Sequence, residues 1–479
     1  MQERNKDVSS KNNVIYDPIY GFIKLTQAEW EIIHTPFYQR LRWIKQLGFS
    51  SYVFPGAEHS RFGHSIGVLH NADLILRSCG RGVPDEDLMD MEKKTHEIMY
   101  HRMLRLAALM HDLGTFCFSH TTEMAYIAFG ETTRSKGGKG LKDDHENLGS
   151  FIIKNTDYPG GITHILNKHD IDPQRISDLV KGVDPSIMAN QILHSEIDCD
   201  RMDYLLRDAH YTGLNYGTYD RDYLLYHFKP VRVGGHDILT IKHNAIHCVE
   251  DFLMSRFSWY SQVIRSPRGS RYDSIAEKLC SYFLTKGYIY KYSDLLEMIT
   301  NDPMKFYHFN DGYFMGLVHK HFHNGDLDKE PDIKDMAETL LLEKGVRHVR
   351  CEEFKQRLLV QDDTTENEKI YKKAQKKAEE IEEVIEKFGE RADWTISDLP
   401  SKDIIFVKSP KSIVKDSSPS NVLLERDPVK ISYENGDVKL LADVENSVIS
   451  SLHTKMNYTP NFFCSHSAYQ LLVKKGVIS

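Results

Sequence analysis

Residues 103–114 read MLRLAALMHDLG, an apolar stretch that ends in the dipeptide His111-Asp112 followed by leucine and glycine. Apolar side chains recur at three- and four-residue steps along it, at Met103, Leu106, Ala107 and Met110. This spacing indicates a helix with one face in the core. The polar dipeptide would then be buried at the helix end, where burial is costly unless a partner compensates for it.

The same spacing extends outward from this stretch. From Thr26 to about Arg350 the apolar residues mostly recur at helical steps, for example at Leu69, Ala72 and Leu76. Glycine-rich stretches near 80–85 and 130–144 interrupt the pattern and indicate loops. We therefore predict a mainly α protein, with a flexible N-terminus over residues 1–13 and a helical core over residues 14–360.

The last part of the chain, residues 361–479, has a different composition. Lysines and glutamates interleave over residues 365–388 at three- and four-residue spacing, which predicts an exposed helix that carries salt bridges. Strand-like runs follow, and Asn435-Gly436 between two of them is a strong hairpin signal. We predict a charged helix and a smaller α+β lobe at the C-terminus.

Composition excludes several classes of protein. The 479 residues are 41% hydrophobic and 27% charged, as in globular domains, and the net charge of -8 argues against a nucleic-acid or acidic-lipid partner. The seven scattered cysteines include no Cys-x-x-Cys pair, which disfavours a disulfide framework. Without an apolar run of about 20 residues or a signal-like start, a cytoplasmic protein that is not membrane-bound is expected.

A divalent metal is the obvious partner for the buried dipeptide, because imidazole and carboxylate both bind first-row metals. The proposed ligand set is His64, His111, Asp112 and Asp200. Such a mixed nitrogen and oxygen site suits manganese, iron, magnesium or zinc. The alternative is that these residues are satisfied core polar groups and a helix cap.

Neighbouring side chains favour the metal hypothesis and indicate a phosphate substrate. Arg61 precedes His64 by three residues on the same helical face, so it would place a cation beside the metal. Asp200, Tyr204 and Asp208 share a second helical face at four-residue steps, with Arg201 close by. These residues offer a carboxylate for the metal and a ring for a sugar or base.

The motifs at 61–64, 111–114 and 200–208 resemble those of the HD-domain superfamily of metal phosphohydrolases. The sequence is most similar to the deoxynucleoside triphosphate (dNTP) triphosphohydrolases, both the bacterial branch and the vertebrate SAM- and HD-domain enzyme, from about Asp17 to roughly Arg271. This resemblance implies a helical HD core, a divalent metal, and a homo-oligomer that is a dimer or tetramer. It also implies hydrolysis of dNTPs to deoxynucleoside and inorganic triphosphate.

The resemblance further implies a role for each matching residue. The metal ligands would be the four residues named above, and His120 would act at the scissile bond with Glu123 and His145 as orienting partners. The positions that match triphosphate contacts are Arg61, Arg201 and Arg256. The positions that match deoxyribose contacts are Gln46, Leu47, Tyr204 and Asp208. Tyr260, where the vertebrate enzyme has histidine, is also assigned to the substrate-binding residues.

Several positions depart from the family pattern. Thr115 replaces a second histidine that many members carry just after His-Asp, so rate and substrate preference should differ while the metal set is intact. His34 and Asn13 replace residues that bind a guanine nucleotide activator in the vertebrate enzyme, so activation of that kind is not expected. Two alternatives stay open. One is an HD phosphohydrolase for nucleoside monophosphates, cyclic nucleotides or nucleic-acid 3′ ends, and the other is a catalytically impaired nucleotide-binding regulator.

Overall fold

A computed structural model describes residues 13–132, 142–361, 363–400 and 423–478, and the backbone of residues 404–405. The chain is mainly α-helical, which confirms the predicted fold class. The predicted flexible N-terminus falls outside the described residues apart from Asn13, as does most of the predicted loop at 130–144.

The helices are numbered in chain order. The first ten are α1 Gln27–Ile33, α2 Pro36–Gln39, α3 Arg61–Ser78, α4 Asp85–Met89, α5 His96–Met110, α6 His120–Phe129, α7 His145–Asn155, α8 Ile162–Lys168, α9 Pro173–Val180 and α10 Ile187–His194. The others are α11 Cys199–Thr212, α12 Arg221–Tyr226, α13 Ile246–Trp259, α14 Pro267–Lys286, α15 Tyr292–Asn301, α16 Pro303–Tyr307, α17 Asp311–His323, α18 Pro331–Leu342, α19 Thr364–Phe388, α20 Val448–Leu452 and α21 His466–Lys474.

The strands are short and form four small sheets among the described residues. They are β1 Val14–Asp17, β2 Gly21–Lys24, β3 Phe228–Val233, β4 His236–Lys242, β5 Arg347–His348, β6 Arg357–Val360, β7 Thr395–Asp398, β8 Ile404–Ile405, β9 Lys430–Ser432, β10 Val438–Leu440, β11 Lys455–Tyr458 and β12 Asn461–Cys464.

The centre of the fold is α3, which packs against α5 and α11. The apolar positions predicted to face the core are buried on α3 and α5, and the side chains exposed by 1% or less include Leu69, Ala72, Leu76, Leu106, Ala107 and Met110. Burial of a leucine side chain contributes about 1.5–3 kcal/mol to folding. This packing brings the start of α3, the end of α5 and the start of α11 to one place.

The C-terminal segments do not stand apart from this core. The hairpin β9–β10 joins the hairpin β3–β4 in a four-stranded sheet, in which β4 and β9 run parallel with Ile241 opposite Ile431. Trp394, Ile431 and Phe463 belong to the same buried apolar cluster as α3 and α5. The division into a core over 14–360 and a lobe over 361–479 stays a prediction.

The helix α19 has two chemically distinct faces. Ala374, Ala378 and Ile381 lie in a second apolar cluster with Phe462 and Leu472. On the exposed face, ion pairs form at three- and four-residue spacing, such as Lys369–Glu366 and Lys372–Glu368. Apolar burial therefore holds the helix, because exposed pairs contribute only about 0.3–0.5 kcal/mol each.

Two further features concern the chain as a whole. All seven cysteines are free thiols, and five of them are buried. Among the described helices, none has the length and apolar character needed to cross a membrane.

Gly114, directly after the His-Asp turn, allows two backbones to touch. A Cβ at this position would lie 2.1 Å from the His145 carbonyl oxygen and 2.3 Å from the Gly149 backbone nitrogen. The first turns of α7 therefore rest on the turn that follows α5. This contact places His145 beside the end of α5.

The substitution Gly114→Ala should destabilise the protein, because the added methyl must push α7 away from the turn. We expect a loss of about 1–3 kcal/mol in the free energy of unfolding, measured by urea titration. The matched control is Gly316→Ala, at an exposed position of α17 with nothing within 4 Å of the added Cβ. The control should gain roughly 0.5–1 kcal/mol, and equal midpoints for the two variants would contradict the close contact.

Candidate metal centre and active site

Four side chains from the ends of three helices converge at one partly buried point. His64 lies in the first turn of α3, His111 and Asp112 follow the end of α5, and Asp200 lies in the first turn of α11. His64 Nε2 is 3.0 Å from Asp200 Oδ1, and His111 Nε2 is 3.8 Å from the same oxygen. Asp112 Oδ2 is 3.7 Å from His64 Nε2 and 3.4 Å from His111 Nε2. The structure thus brings together all four residues of the predicted metal set.

The two imidazole rings are oriented by hydrogen bonds at the nitrogen that faces away from the cluster. His64 Nδ1 is 2.8 Å from Asp203 Oδ2, and His111 Nδ1 is 2.7 Å from the Ala108 carbonyl oxygen. A ring that donates from Nδ1 presents Nε2 as a ligand. Within the described residues, both Nε2 atoms are buried and have no hydrogen-bond partner.

This donor set fits a divalent metal. Donor atoms of His64, His111 and Asp200 all lie within 4.8 Å of one another. Imidazole nitrogens and carboxylate oxygens suit several first-row metals, so the set does not select one of them. Both Nε2 atoms face carboxylate oxygens of Asp112 and Asp200 at distances of 3.0–3.8 Å, so one metal ion could be bound by the nitrogens and the carboxylates together.

The charges of the cluster are set by its neighbours. Burial opposes the charged form of His64, but Asp200 and Asp203 outweigh burial and raise the pKa of His64 to about 9. Burial also acts to raise the pKa of Asp112, yet the charge of Arg61, with those of His111 and His64, holds it well below its usual range. In the metal-free protein the carboxylate is therefore ionised and His64 carries a proton.

A second cluster lies just after the turn that joins α5 to α6. Glu123 on α6 bridges two histidines, with Oε2 2.7 Å from His120 Nδ1 and Oε1 2.6 Å from His145 Nδ1. The His145 backbone N–H also donates to Oε1, at 2.8 Å. Burial acts to lower the pKa of His145, but the hydrogen bond and the negative charge of Glu123 outweigh burial and raise this pKa to about 9. The His120 side chain is 62% exposed, so its Nε2 side is open to a ligand.

The three predicted phosphate-binding arginines are all engaged with carboxylates. Arg61 Nη1 donates to Asp112 Oδ2 at 2.7 Å, and its Nε donates to Ser119 Oγ at 2.9 Å. Arg201 pairs with the buried Asp198, and Arg256 Nη1 is 2.6 Å from Glu196 Oε2. Arg61 therefore connects the metal cluster directly to the residue before His120.

A cavity of about 900 Å³ opens beside His120. Its walls include Gln46, Leu47 and Tyr260, and the segment Thr395–Pro400 closes the far side. Gln46 lies between two short 3-10 turns, and its Oε1 is buried and has no hydrogen-bond partner among the described residues.

Two residues assigned to the sugar lie outside the walls of this cavity. Tyr204 packs against Trp259, with ring centroids 4.6 Å apart. Asp208 is fully buried, with Oδ1 2.7 Å from His59 Nε2. The Thr115 side chain is also buried, and within the described residues its hydroxyl oxygen has no hydrogen-bond partner.

Sequence reasoning missed three residues that orient the site. Asp203 fixes the His64 ring and is itself held by Arg207, whose Nε donates to it at 2.8 Å. Its spacing of three residues from Asp200 was a usable signal. His59 and Ser119 act through contacts with distant residues, and nothing in the local sequence indicates their roles.

Comparison with known proteins places these motifs in a family. The model of the family described as "HD domain" matches residues 61–208. The Bacillus subtilis protein YwfO is 31% identical over 309 residues, which are 63% of this chain and 62% of that protein. A protein of Dictyostelium discoideum described as a deoxynucleoside triphosphate triphosphohydrolase SAMHD1 homolog is 27% identical over 397 residues, 80% of this chain and 67% of its own length.

A solved structure has the same fold. The crystal structure of a phosphohydrolase from Bacteroides thetaiotaomicron matches 95% of this chain and 99% of its own, with a TM-score of 0.61 at 19% identity.

The chain spans 46% to 63% of the length of the first four curated relatives that it matches, which is less than two thirds. Residues 61–208 thus match the HD domain, and the chain is similar to proteins described as deoxynucleoside triphosphate triphosphohydrolases.

Proposed function

We propose that the protein hydrolyses dNTPs to deoxynucleoside and inorganic triphosphate. The observation that carries this proposal is the pair of hydrogen bonds from Arg61 to Asp112 and Ser119, since they join the candidate metal cluster to the turn that bears His120. A phosphate bound beside Arg61 would meet both clusters. The description of the Dictyostelium relative as a dNTP triphosphohydrolase supports the same substrate.

The divalent metal would be held by His64, His111, Asp112 and Asp200, and it is manganese, magnesium, iron or zinc. When bound, such an ion polarises a phosphoryl oxygen and lowers the pKa of its bound water, so that hydroxide is available at neutral pH. Asp203 and the Ala108 carbonyl keep the two imidazoles turned toward it. This support fixes the ligand atoms before the ion arrives, which raises metal affinity.

The arginines orient and neutralise the triphosphate. Arg61, Arg201 and Arg256 each carry a carboxylate partner that fixes the direction of the guanidinium. Positioning and charge stabilisation account for most of the catalysis in phosphoryl transfer. The three arginines are therefore the main source of substrate orientation.

His120 supplies the proton that the leaving 5′-oxygen needs. Its Nδ1 is held by Glu123, so the proton to be transferred sits on the exposed Nε2. As water attacks the α-phosphorus and the bond from phosphorus to the 5′-oxygen breaks, this proton moves to the 5′-oxygen and gives the deoxynucleoside and inorganic triphosphate. The proton that the attacking water loses restores His120. His145 shares the second oxygen of Glu123 and limits the motion of that carboxylate.

The sugar would lie against Gln46 and Leu47, with Tyr260 on the same cavity. A close-fitting floor there would exclude a ribonucleotide by contact with its 2′-hydroxyl. Tyr204 and Asp208 complete the proposed substrate set from α11. We also propose that the protein is cytoplasmic, in keeping with its seven free cysteines, and that it forms a homo-oligomer, as the family resemblance implies.

A second candidate function is nucleotide binding without turnover. The observation that favours it is Thr115, since a buried threonine cannot supply the phosphate-side imidazole that many family members have. The geometry of His120, Glu123 and His145 favours the enzyme.

Incubation of the purified protein with each dNTP and Mn²⁺ or Mg²⁺ should release inorganic triphosphate and the deoxynucleoside, resolved by ion-exchange chromatography. The corresponding ribonucleotides should react more slowly. Release of pyrophosphate or single phosphate would reject the assignment, and nucleotide binding without any product would favour the regulator. Asp222→Asn, at a carboxylate that is 81% exposed, is a suitable control variant and should be fully active.

The substitution His120→Ala should reduce turnover by on the order of 10² to 10⁴, because the leaving oxygen loses its proton donor. Binding of the nucleotide should persist, since the arginines are unchanged, and isothermal titration calorimetry measures it. His323→Ala, at an exposed position of α17, is the matched control. Turnover equal to that of the control would remove His120 from the mechanism.

Metal binding at pH 7 should release about one proton per ion. His64 has its pKa raised to about 9, so it is protonated in the metal-free protein and must lose that proton to bind a metal. Apparent affinity should therefore rise as pH increases toward 9. Calorimetry of Mn²⁺ binding in two buffers of different ionisation enthalpy counts the protons, and a count of zero would contradict the raised pKa of His64.

A further inference from the structure

Asp311, on the first turn of α17, bonds to two remote segments of backbone. Its Oδ1 accepts the Phe118 N–H at 2.6 Å, and its Oδ2 accepts the Lys45 N–H at 2.8 Å. These partners precede it by 193 and 266 residues. The Asp311 residue is only 7% exposed, and it lies outside the residues 61–208 that match the HD family.

The first of these segments is a strained turn. Phe118 and Ser119 have φ values of 52° and 59°, in the left-handed region that residues with side chains seldom adopt. Such residues cost about 1–3 kcal/mol each and persist only when their surroundings hold them. The Phe118 ring stacks on Phe49 with centroids 4.1 Å apart, and α6 begins at His120 directly afterwards. The direction of α6, and of the His120 side chain, follows from this turn.

The second segment continues as a chain of hydrogen bonds into the metal cluster. The Lys45 carbonyl oxygen accepts from Ser119 Oγ at 2.6 Å, and Ser119 Oγ accepts from Arg61 Nε at 2.9 Å. Arg61 in turn donates to Asp112. Lys45 also precedes Gln46, which lines the cavity. One carboxylate therefore fixes the turn before His120 and the segment that supports Arg61.

We propose that Asp311 is a positioning residue that holds His120 in line with the scissile bond, through its hydrogen bonds to Phe118 and Lys45. This inference rests on the proposed function, because it takes His120 as the proton donor. It extends the active site beyond the HD-matched segment to a helix far along the chain. Loss of one of the two bonds would let the turn relax and move His120 away from the leaving oxygen.

The test is Asp311→Asn, because an amide has a single acceptor oxygen and cannot bind both N–H groups. For dNTP hydrolysis we expect kcat to fall on the order of 10- to 100-fold with little change in KM. The p-nitrophenyl ester of thymidine 5′-phosphate serves as a second substrate, since p-nitrophenolate leaves without a proton. Its hydrolysis should fall by less than about threefold. An equal fall for both substrates would overturn the inference and leave the proposed function standing.

A double-mutant cycle with His120→Ala gives an independent outcome. If Asp311 acts through His120, Asp311→Asn should cause no further loss in the His120→Ala background, whereas additive losses would overturn the inference. Asp326→Asn, at an exposed carboxylate just beyond α17, controls for the loss of a charge. Should Asp311→Asn fail to fold, Asp311→Glu keeps the charge, displaces it by one methylene, and undergoes the same two tests.

Hydrogen exchange separates this inference from the proposed function. The Phe118 amide should be protected in the wild type and exchange faster in Asp311→Asn, whether or not the protein hydrolyses any dNTP. If the wild type releases no triphosphate, the proposed function fails on that result alone. If Phe118 exchanges at the same rate in both proteins, the inference about Asp311 fails.

Discussion

The buried ion pair between Arg61 and Asp112 is the contact on which the candidate site depends. Both residues are almost fully buried, and removal of one partner from such a pair typically costs 3–5 kcal/mol because the other charge is left without compensation. Through Ser119, Arg61 also holds the turn before His120. The geometry of the proton donor and that of the metal ligands are therefore coupled by one guanidinium.

Much of the helical core was predictable from the sequence, because amphipathic periodicity is a local property. The faces of α3 and α5 are buried as their apolar spacing predicts, and His64 and Asp200 meet because those helices and α11 pack together. Asp311 could not be assigned in the same way. It acts on residues 193 and 266 positions away, and one sequence carries no signal of such a pairing.

In the C-terminal region, too, the sequence predicts local structure but not tertiary pairing. Asn435-Gly436 predicted the hairpin that β9 and β10 form, since a tight turn needs only neighbouring residues. The parallel pairing of β9 with β4 depends on tertiary packing, so no local pattern of residues indicated it. The segment Thr395–Pro400 also forms a wall of the cavity beside His120 through tertiary packing, and no sequence pattern predicted that position.

The parallel pairing of β4 with β9 also has a consequence for synthesis. Ile431 leaves the ribosome roughly 190 residues after Ile241, its partner in the sheet. At a synthesis rate of about 5–20 residues per second, one edge of β4 stays unpaired for on the order of 10–40 s before β9 is made. An uncovered strand edge is a template for association with other chains. The nascent protein is thus most vulnerable to misassembly during this interval, when most of the helical core has been made.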